Sequence, residues 1–320
     1  MTDPTQLAME GVQLARQGRL IEGSDLLARA VAMAPGNTGA RVNYGLVLQE
    51  RGMHAQALEQ FDAAIAQKAG VDALHQARGI ALKNLNRLDE AVAAYDEALR
   101  INPRLFSAHY NRAVALRHLQ KTDEAVRAFE TALLLQPQSV AALNGMGMAL
   151  HEGQRYEAAL AAFDKAVALD AKSAELQMNM GVTLNELRRH GEALAALQRA
   201  LALAPGHPDV HLNLGNVLAS MDRTEEAIAQ FQAALVHRPE DADIAMNIAN
   251  TLRDAGRHDE ARSWYDRALA PDPARGVVRW NRALSLLAAG LTEAGLCWLH
   301  GMNGAAAPAA AATRAAEGAR

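Results

Sequence analysis

An all-α solenoid of about eight to nine 34-residue helix-turn-helix repeats is the fold this sequence predicts, and three observations predict it. Six prolines, Pro35, Pro103, Pro137, Pro205, Pro239 and Pro273, fall on one grid of 34 residues. Small and large side chains recur at fixed phases of that grid. The chain is 50% hydrophobic but only 4% aromatic, and its apolar half is mostly Ala and Leu, which favour helix over strand.

Taking each grid proline as position 32 sets the repeats at 4–37, 38–71, 72–105, 106–139, 140–173, 174–207, 208–241 and 242–275, with a degenerate ninth at 276–302. Ala69 and Ala171 fill the two empty proline positions. Position 8 is Gly or Ala throughout, from Gly11 to Ala283, and so is position 20, from Gly23 to Gly295. Position 27 is Ala in the first eight repeats, and position 11 is Leu in all nine. Position 24 is large: Leu27, Phe61, Tyr95, Phe129, Phe163, Leu197, Phe231, Tyr265 and Leu299. The physical reading is a pair of helices that approach closely at the small residues, with the large residues filling the space between and around the pairs. No repeat can bury its apolar face alone, so neighbours must stack.

Within a repeat the first helix is expected over positions 1–14 and the second over 17–30. Thr122, Thr224 and Thr292, each followed by acid, read as hydroxyl N-caps of second helices, with the acids favoured by the helix dipole. Gly18, Gly52, Gly153, Gly256 and Gly290 mark the turns between helices. The position-32 proline stops the second helix.

These phases of small residues at 8, 20 and 27, a large residue at 24 and proline at 32 resemble the tetratricopeptide repeat (TPR) family over about nine-tenths of the chain. Leucine at position 11, and the mixed set at position 4 that includes Arg41, His75, His109 and His211, depart from its pattern. The resemblance implies a right-handed superhelix with first helices on the concave side. It also implies that positions 2, 5, 6, 9, 12 and 13 of the first helix face the groove.

Position 6 is Asn43, Asn111, Asn179, Asn213, Asn247 and Asn281, and position 9 adds Asn216 and Asn250. Asparagine is a mediocre helix former, so its recurrence at one phase needs a cause. One reading is a ladder of amides, each with donor and acceptor, matched to the backbone of an extended peptide. It resembles the asparagine ladder of O-GlcNAc transferase-type TPR superhelices. The other reading is an amide that ties neighbouring first helices together, or inheritance from a duplicated unit. Position 5 adds Val42, Tyr110, Met178, Leu212, Met246 and Trp280, more apolar than a purely solvated face. Glu175, Asp209 and Asp243 at position 2 read either as an acidic rim or as first-turn acids favoured by the dipole, and the second reading is preferred. A clamp for a C-terminal carboxylate is disfavoured, because position 5 never carries Lys.

Little else suggests chemistry. The net charge of −4 gives no overall nucleic-acid footprint. His207 and His211 are spaced i, i+4 but flank Pro208 and lack a clustered acid, so no metal is expected. His75, His109 and His211 share position 4 and read as packing residues. The lone Cys297 reads as buried, and no catalytic constellation or cofactor motif is present. The apolar runs are too short for membrane insertion and residues 1–10 lack a secretory pattern, so a cytoplasmic setting is expected.

Residues 292–300 are apolar enough to suggest self-association through a last helix, and 303–320 read as a disordered Ala-rich tail. The stretch Trp280 to Trp298 resembles the closing repeat of bacterial TPR proteins that carry a glycosyltransferase domain. The sequence therefore points to a non-enzymatic scaffold that holds an extended protein or peptide segment in an Asn-lined groove. The alternatives are the substrate-recruiting arm of a glycosyltransferase whose catalytic part is absent, and a self-assembling structural protein.

Overall fold

The computed structural model describes residues 3–67 and 71–291. The segment 292–300, Cys297 within it, Thr292 and the tail 303–320 lie outside the described residues. Among the described residues there are seventeen helices and no strand. The chain divides into two compact bodies, Met1–Leu169 and Asp170–Arg320.

The N-terminal body holds five helix pairs: α1 (Pro4–Arg16) and α2 (Leu20–Met33), α3 (Thr38–Glu50) and α4 (His54–Gln67), α5 (Asp72–Asn84) and α6 (Leu88–Ile101), α7 (Phe106–His118) and α8 (Thr122–Leu135), α9 (Val140–Glu152) and α10 (Tyr156–Leu169). The C-terminal body holds α11 (Ala174–Glu186) and α12 (His190–Leu203), α13 (Pro208–Ser220) and α14 (Thr224–His237), α15 (Ala242–Asp254) and α16 (His258–Leu269), and the first helix of a further pair, α17 (Gly276–Ala288). First helices occupy positions 1–13 and second helices 17–30, except that Pro271 ends α16 early. Within each body every helix packs on the next, and each first helix also meets the following first helix. Second helices show no such approach to one another among the described residues. The first helices therefore form the close-set inner row of each body.

The core is built at the small–large phases. Tyr95, Tyr265, Phe61, Phe129, Phe163 and Phe231 at position 24 are the largest fully buried side chains. Four of these rings lie directly over a position-8 glycine. A Cβ added to Gly45, Gly79, Gly147 or Gly215 would stand 2.5 Å from the ring of Phe61, Tyr95, Phe163 or Phe231. The glycine is thus a seat for the ring, a more specific role than a close approach of two axes. Burying each ring contributes roughly 1.5–3 kcal/mol.

The two helix starts of a repeat are made differently. Four first helices are capped by a side chain at position 34 of the preceding repeat: Asn37 accepts from the Ala40 amide at 3.0 Å, and Ser139, Ser173 and Asp241 act likewise, whereas Val71, Leu105, His207 and Arg275 at the same position make no such bond. Among the described residues no second helix has a hydroxyl cap. Thr122 and Thr224 are the first helical residues, not caps, and the caps before them are Lys121 and Arg223, without a side-chain cap bond. That corrects the sequence expectation. The turn closes one residue earlier than a threonine cap requires, and the fork of an arginine grips the acid three residues on. Arg87–Glu90, Arg189–Glu192 and Arg223–Glu226 each bring guanidinium and carboxylate to 2.7 Å.

The expected glycines all lie in the turns between helices, but not all for the same reason. Gly18, Gly52, Gly256 and Gly290 have φ between 74° and 80°, the left-handed region where a Cβ is strained. Gly153 sits one position earlier, at φ −81°. The left-handed residue of its turn is Gln154, and Asn86, Gln120, Arg188 and Asp222 hold the same conformation at the same phase. Position 15 is left-handed in every repeat whatever its side chain.

Position 4 is also more than packing. His109 Nε2 lies 2.9 Å from the Pro103 carbonyl, His211 Nε2 lies 3.0 Å from that of Pro205, and Arg41 Nε reaches that of Pro35 at 3.0 Å. In these three repeats the residue six places after the position-32 proline thus satisfies its carbonyl.

Candidate functional site

All eight asparagines singled out from the sequence lie on first helices and are half-buried: Asn43 on α3, Asn111 on α7, Asn179 on α11, Asn213 and Asn216 on α13, Asn247 and Asn250 on α15, and Asn281 on α17. In the C-terminal body they occupy four successive first helices. Two of them meet, with Asn247 Nδ2 donating to Asn216 Oδ1 at 3.3 Å across adjacent repeats. Asn250 is held from beneath, its Oδ1 accepting the Tyr265 hydroxyl at 2.7 Å. Asn179 also has an interaction partner. The row is thus partly a structural network, as the tying-together reading has it, and it stays partly exposed, as a binding face requires. Met178, Leu212, Met246 and Trp280 stand half-buried beside it.

In the N-terminal body the row is broken. Ala77 is buried at the same phase, and Met9 is 62% exposed. Between α1 and α3 there is a groove of about 540 Å³ lined by Met9, Val12, Gln13, Arg16, Gly39 and Asn43 among others. The third gap, Gly145, has a packing cause. Repeat 4 carries Ala113 where its neighbours carry glycine, and Phe129 does not sit over a position-8 glycine. Its ring lies instead over the next repeat, where a Cβ at Gly145 would stand 2.6 Å away. Phe129 also meets Tyr110 edge-on, at 6.0 Å between centroids. A side chain at position 6 there would require the Phe129 ring to move.

The acids at position 2 are neutralised locally. Asp209 pairs with Arg238 at 2.8 Å, Asp243 pairs with Arg275, and Glu175 is also engaged. They do not form an uncompensated acidic rim. A further pairing escaped the sequence reading. Arginine at position 7 bonds aspartate at position 25 of the preceding repeat: Arg78–Asp62 and Arg112–Asp96 at 2.6 Å, Arg282–Asp266 at 2.8 Å. The signal was present as a constant 16-residue spacing. Being half-exposed, each such pair contributes about 0–1 kcal/mol and sets register more than stability.

Two residues of the site were not anticipated. Tyr265 is fully buried as core, yet its hydroxyl bonds Asn250, and burial pushes its pKa up to about 12. Arg253, at groove position 12, reaches that hydroxyl at 3.4 Å and pairs with Asp254 at 2.8 Å. Among the described residues no three His, Cys, Asp or Glu side chains cluster as a metal site. His207 is the N-cap residue of α13, while His211 Nδ1 turns to Gln230 at 2.8 Å. No described helix is long and apolar enough to cross a membrane.

Comparison with known proteins agrees with this geometry. A tetratricopeptide repeat profile matches residues 9–72, 119–174 and 212–275, and two further TPR profiles match 172–240 and 79–117. No curated protein matches the chain. Among solved structures, a tetratricopeptide repeat protein from Parabacteroides merdae ATCC 43184 is 17% identical with a TM-score of 0.63, over 78% of this chain and 98% of that one. A chain of the APC/C hetero-tetramer Cut9–Hcn1 is 18% identical with a TM-score of 0.61, over 88% of this chain and 55% of that one. "MamA 41-end" from Desulfovibrio magneticus RS-1 is 22% identical with a TM-score of 0.50, over 52% of this chain and 94% of that one. At these identities the likeness is one of fold. With profile matches over more than half its length, the chain belongs to the tetratricopeptide repeat family, whose solenoids serve as protein-interaction scaffolds.

Proposed function

We propose that the first-helix face binds an extended segment of a partner protein, in the cytoplasm and without catalysis of its own. The observation that carries this reading is the row of half-exposed amides on α11, α13, α15 and α17, set beside half-exposed Met178, Leu212, Met246 and Trp280. Amides bond backbone without regard to sequence. Methionine and tryptophan supply adaptable apolar contact. Asn179, Asn213, Asn247 and Asn281, with Asn216 and Asn250, form the principal site, and Asn43 and Asn111 are outlying members in the N-terminal body.

The test is selection of a binding peptide from a randomised library on the full chain, followed by titration of that peptide against wild type and against the triple variant Asn179→Ala, Asn213→Ala, Asn247→Ala. Binding that falls at least about tenfold, with helical circular dichroism unchanged, supports the face. Equal binding by both proteins removes it. The same face would serve the recruiting arm of an O-GlcNAc transferase-type enzyme. The resemblance of the amide row supports that narrower reading, and transferase activity recovered together with the chain from its source cells would test it.

A further inference from the structure

The Asn250 amide of repeat 8 is not free to present either end. Arg253 Nη1 lies 3.4 Å from the Tyr265 hydroxyl, and that hydroxyl lies 2.7 Å from Asn250 Oδ1. A guanidinium only donates, and a phenol has one proton. The Tyr265 oxygen therefore accepts from Arg253 and gives its proton to Asn250. That choice settles which end of the Asn250 amide is engaged, whichever way it is drawn. Its oxygen is used and its NH₂ is left to offer. One repeat earlier the Asn247–Asn216 bond joins two amides, so either orientation of the pair satisfies it and neither end of Asn216 is fixed.

We propose that Tyr265 is a positioning residue that locks the Asn250 amide with its NH₂ toward the binding face, so that repeat 8 selects a hydrogen-bond acceptor, a backbone carbonyl, on the bound segment. The inference rests on the reading of this face as a peptide site and adds the polarity of that site. A carbonyl is favoured over a carboxylate by the local charge. Arg253 is already held by Asp254 through both Nε at 2.9 Å and Nη2 at 2.8 Å, so an acid on the ligand would gain no unpaired cation and would meet a carboxylate. Position 24 accepts phenylalanine in repeats 2, 4, 5 and 7, so removing the hydroxyl leaves a side chain the core already uses.

The experiment titrates the library-selected peptide against four full-length proteins besides wild type: Asn250→Asp, Tyr265→Phe, their combination, and the triple asparagine variant described above. Asn250→Asp replaces the donor by an acceptor and is expected to weaken binding about tenfold. Tyr265→Phe frees the amide to turn and is expected to weaken it about threefold. The combined variant is expected to bind no worse than Asn250→Asp alone, because Tyr265 acts through Asn250. A merely structural role for the hydroxyl would instead make the two losses multiply, and that result overturns the positioning role. Wild-type binding by both single variants, with loss in the triple variant, overturns the inference and leaves the peptide site standing. Binding that survives the triple variant brings down the site and the inference together. Replacing Asp and Glu of the peptide by Asn and Gln is expected to change nothing, and a tenfold loss there would assign a carboxylate in place of the carbonyl.

Discussion

The two bodies share one core and differ in the face they present. Phe163 over Gly147 in the first and Phe231 over Gly215 in the second are the same seat, with the same 2.5 Å approach. On the inner row, the C-terminal body carries asparagine at position 6 of all four first helices, whereas the N-terminal body carries Met9, Asn43, Ala77, Asn111 and Gly145. A scaffold held by contacts between neighbours leaves its inner face free to vary, except where the core reaches through to it. Gly145 is such a place.

The comparison can be broken most forcefully at the core. Phe163→Ala and Phe231→Ala are expected to cost about 3–5 kcal/mol each, and to the same degree, by urea denaturation followed by circular dichroism. A large loss in one body and a small one in the other would show that the shared seat is not energetically shared.

The next test concerns the gap in the row. Gly145→Asn is expected to cost about 1–3 kcal/mol, since a Cβ there overlaps Phe129. Adding Ala113→Gly gives the ring its usual seat and is expected to return most of that loss as favourable coupling between the two changes. Additive costs would mean that the displaced ring does not cause the gap.

The two buried tyrosines sharpen the contrast further. Tyr95 in the N-terminal body has a buried hydroxyl without a hydrogen-bond partner, and Tyr265 has two. Tyr95→Phe is expected to be neutral or to stabilise by up to about 1 kcal/mol, while Tyr265→Phe destabilises by about 1 kcal/mol. Melting temperatures that move in the same direction would refute the distinction.

The smallest effect lies in the turns, where the bodies should agree again. Gln154→Gly and Arg188→Gly each relieve a left-handed Cβ, offset by the freedom glycine adds to the unfolded chain. A net gain of up to about 1 kcal/mol is expected in both. Destabilisation in either would mean that the side chain there makes a contact worth more than the strain.

What was legible in the sequence followed from period. The helix bounds, the ring positions and the row of asparagines all repeat at a fixed phase, and a repeat can be read without knowing what each residue touches. What was not legible depends on which of two neighbours a side chain reaches. Thr122 looks like a cap because hydroxyls usually are, yet the cap is Lys121. Gly153 lies in the turn as expected, yet the left-handed residue of that turn is its neighbour Gln154. The threefold Arg–Asp spacing of 16 residues was on the page but links residues in different repeats, where a search along one helix does not look. At the site, the asparagines were visible as residue types, while the engaged end of Asn250 depends on a tyrosine fifteen residues away that reads only as core.

The nearest-neighbour packing has a consequence for how such a gene can change. Among the described residues of a body each helix meets only the next helix and, for first helices, the next first helix. Excising 208–241 would join His207 to Ala242, and every residue beyond the seam would keep its phase, its ring seat and its turn. Length is therefore an inheritable dial. Unequal recombination between copies can lengthen or shorten the row of amides by whole rungs, trading reach along a ligand for compactness without inventing a new core.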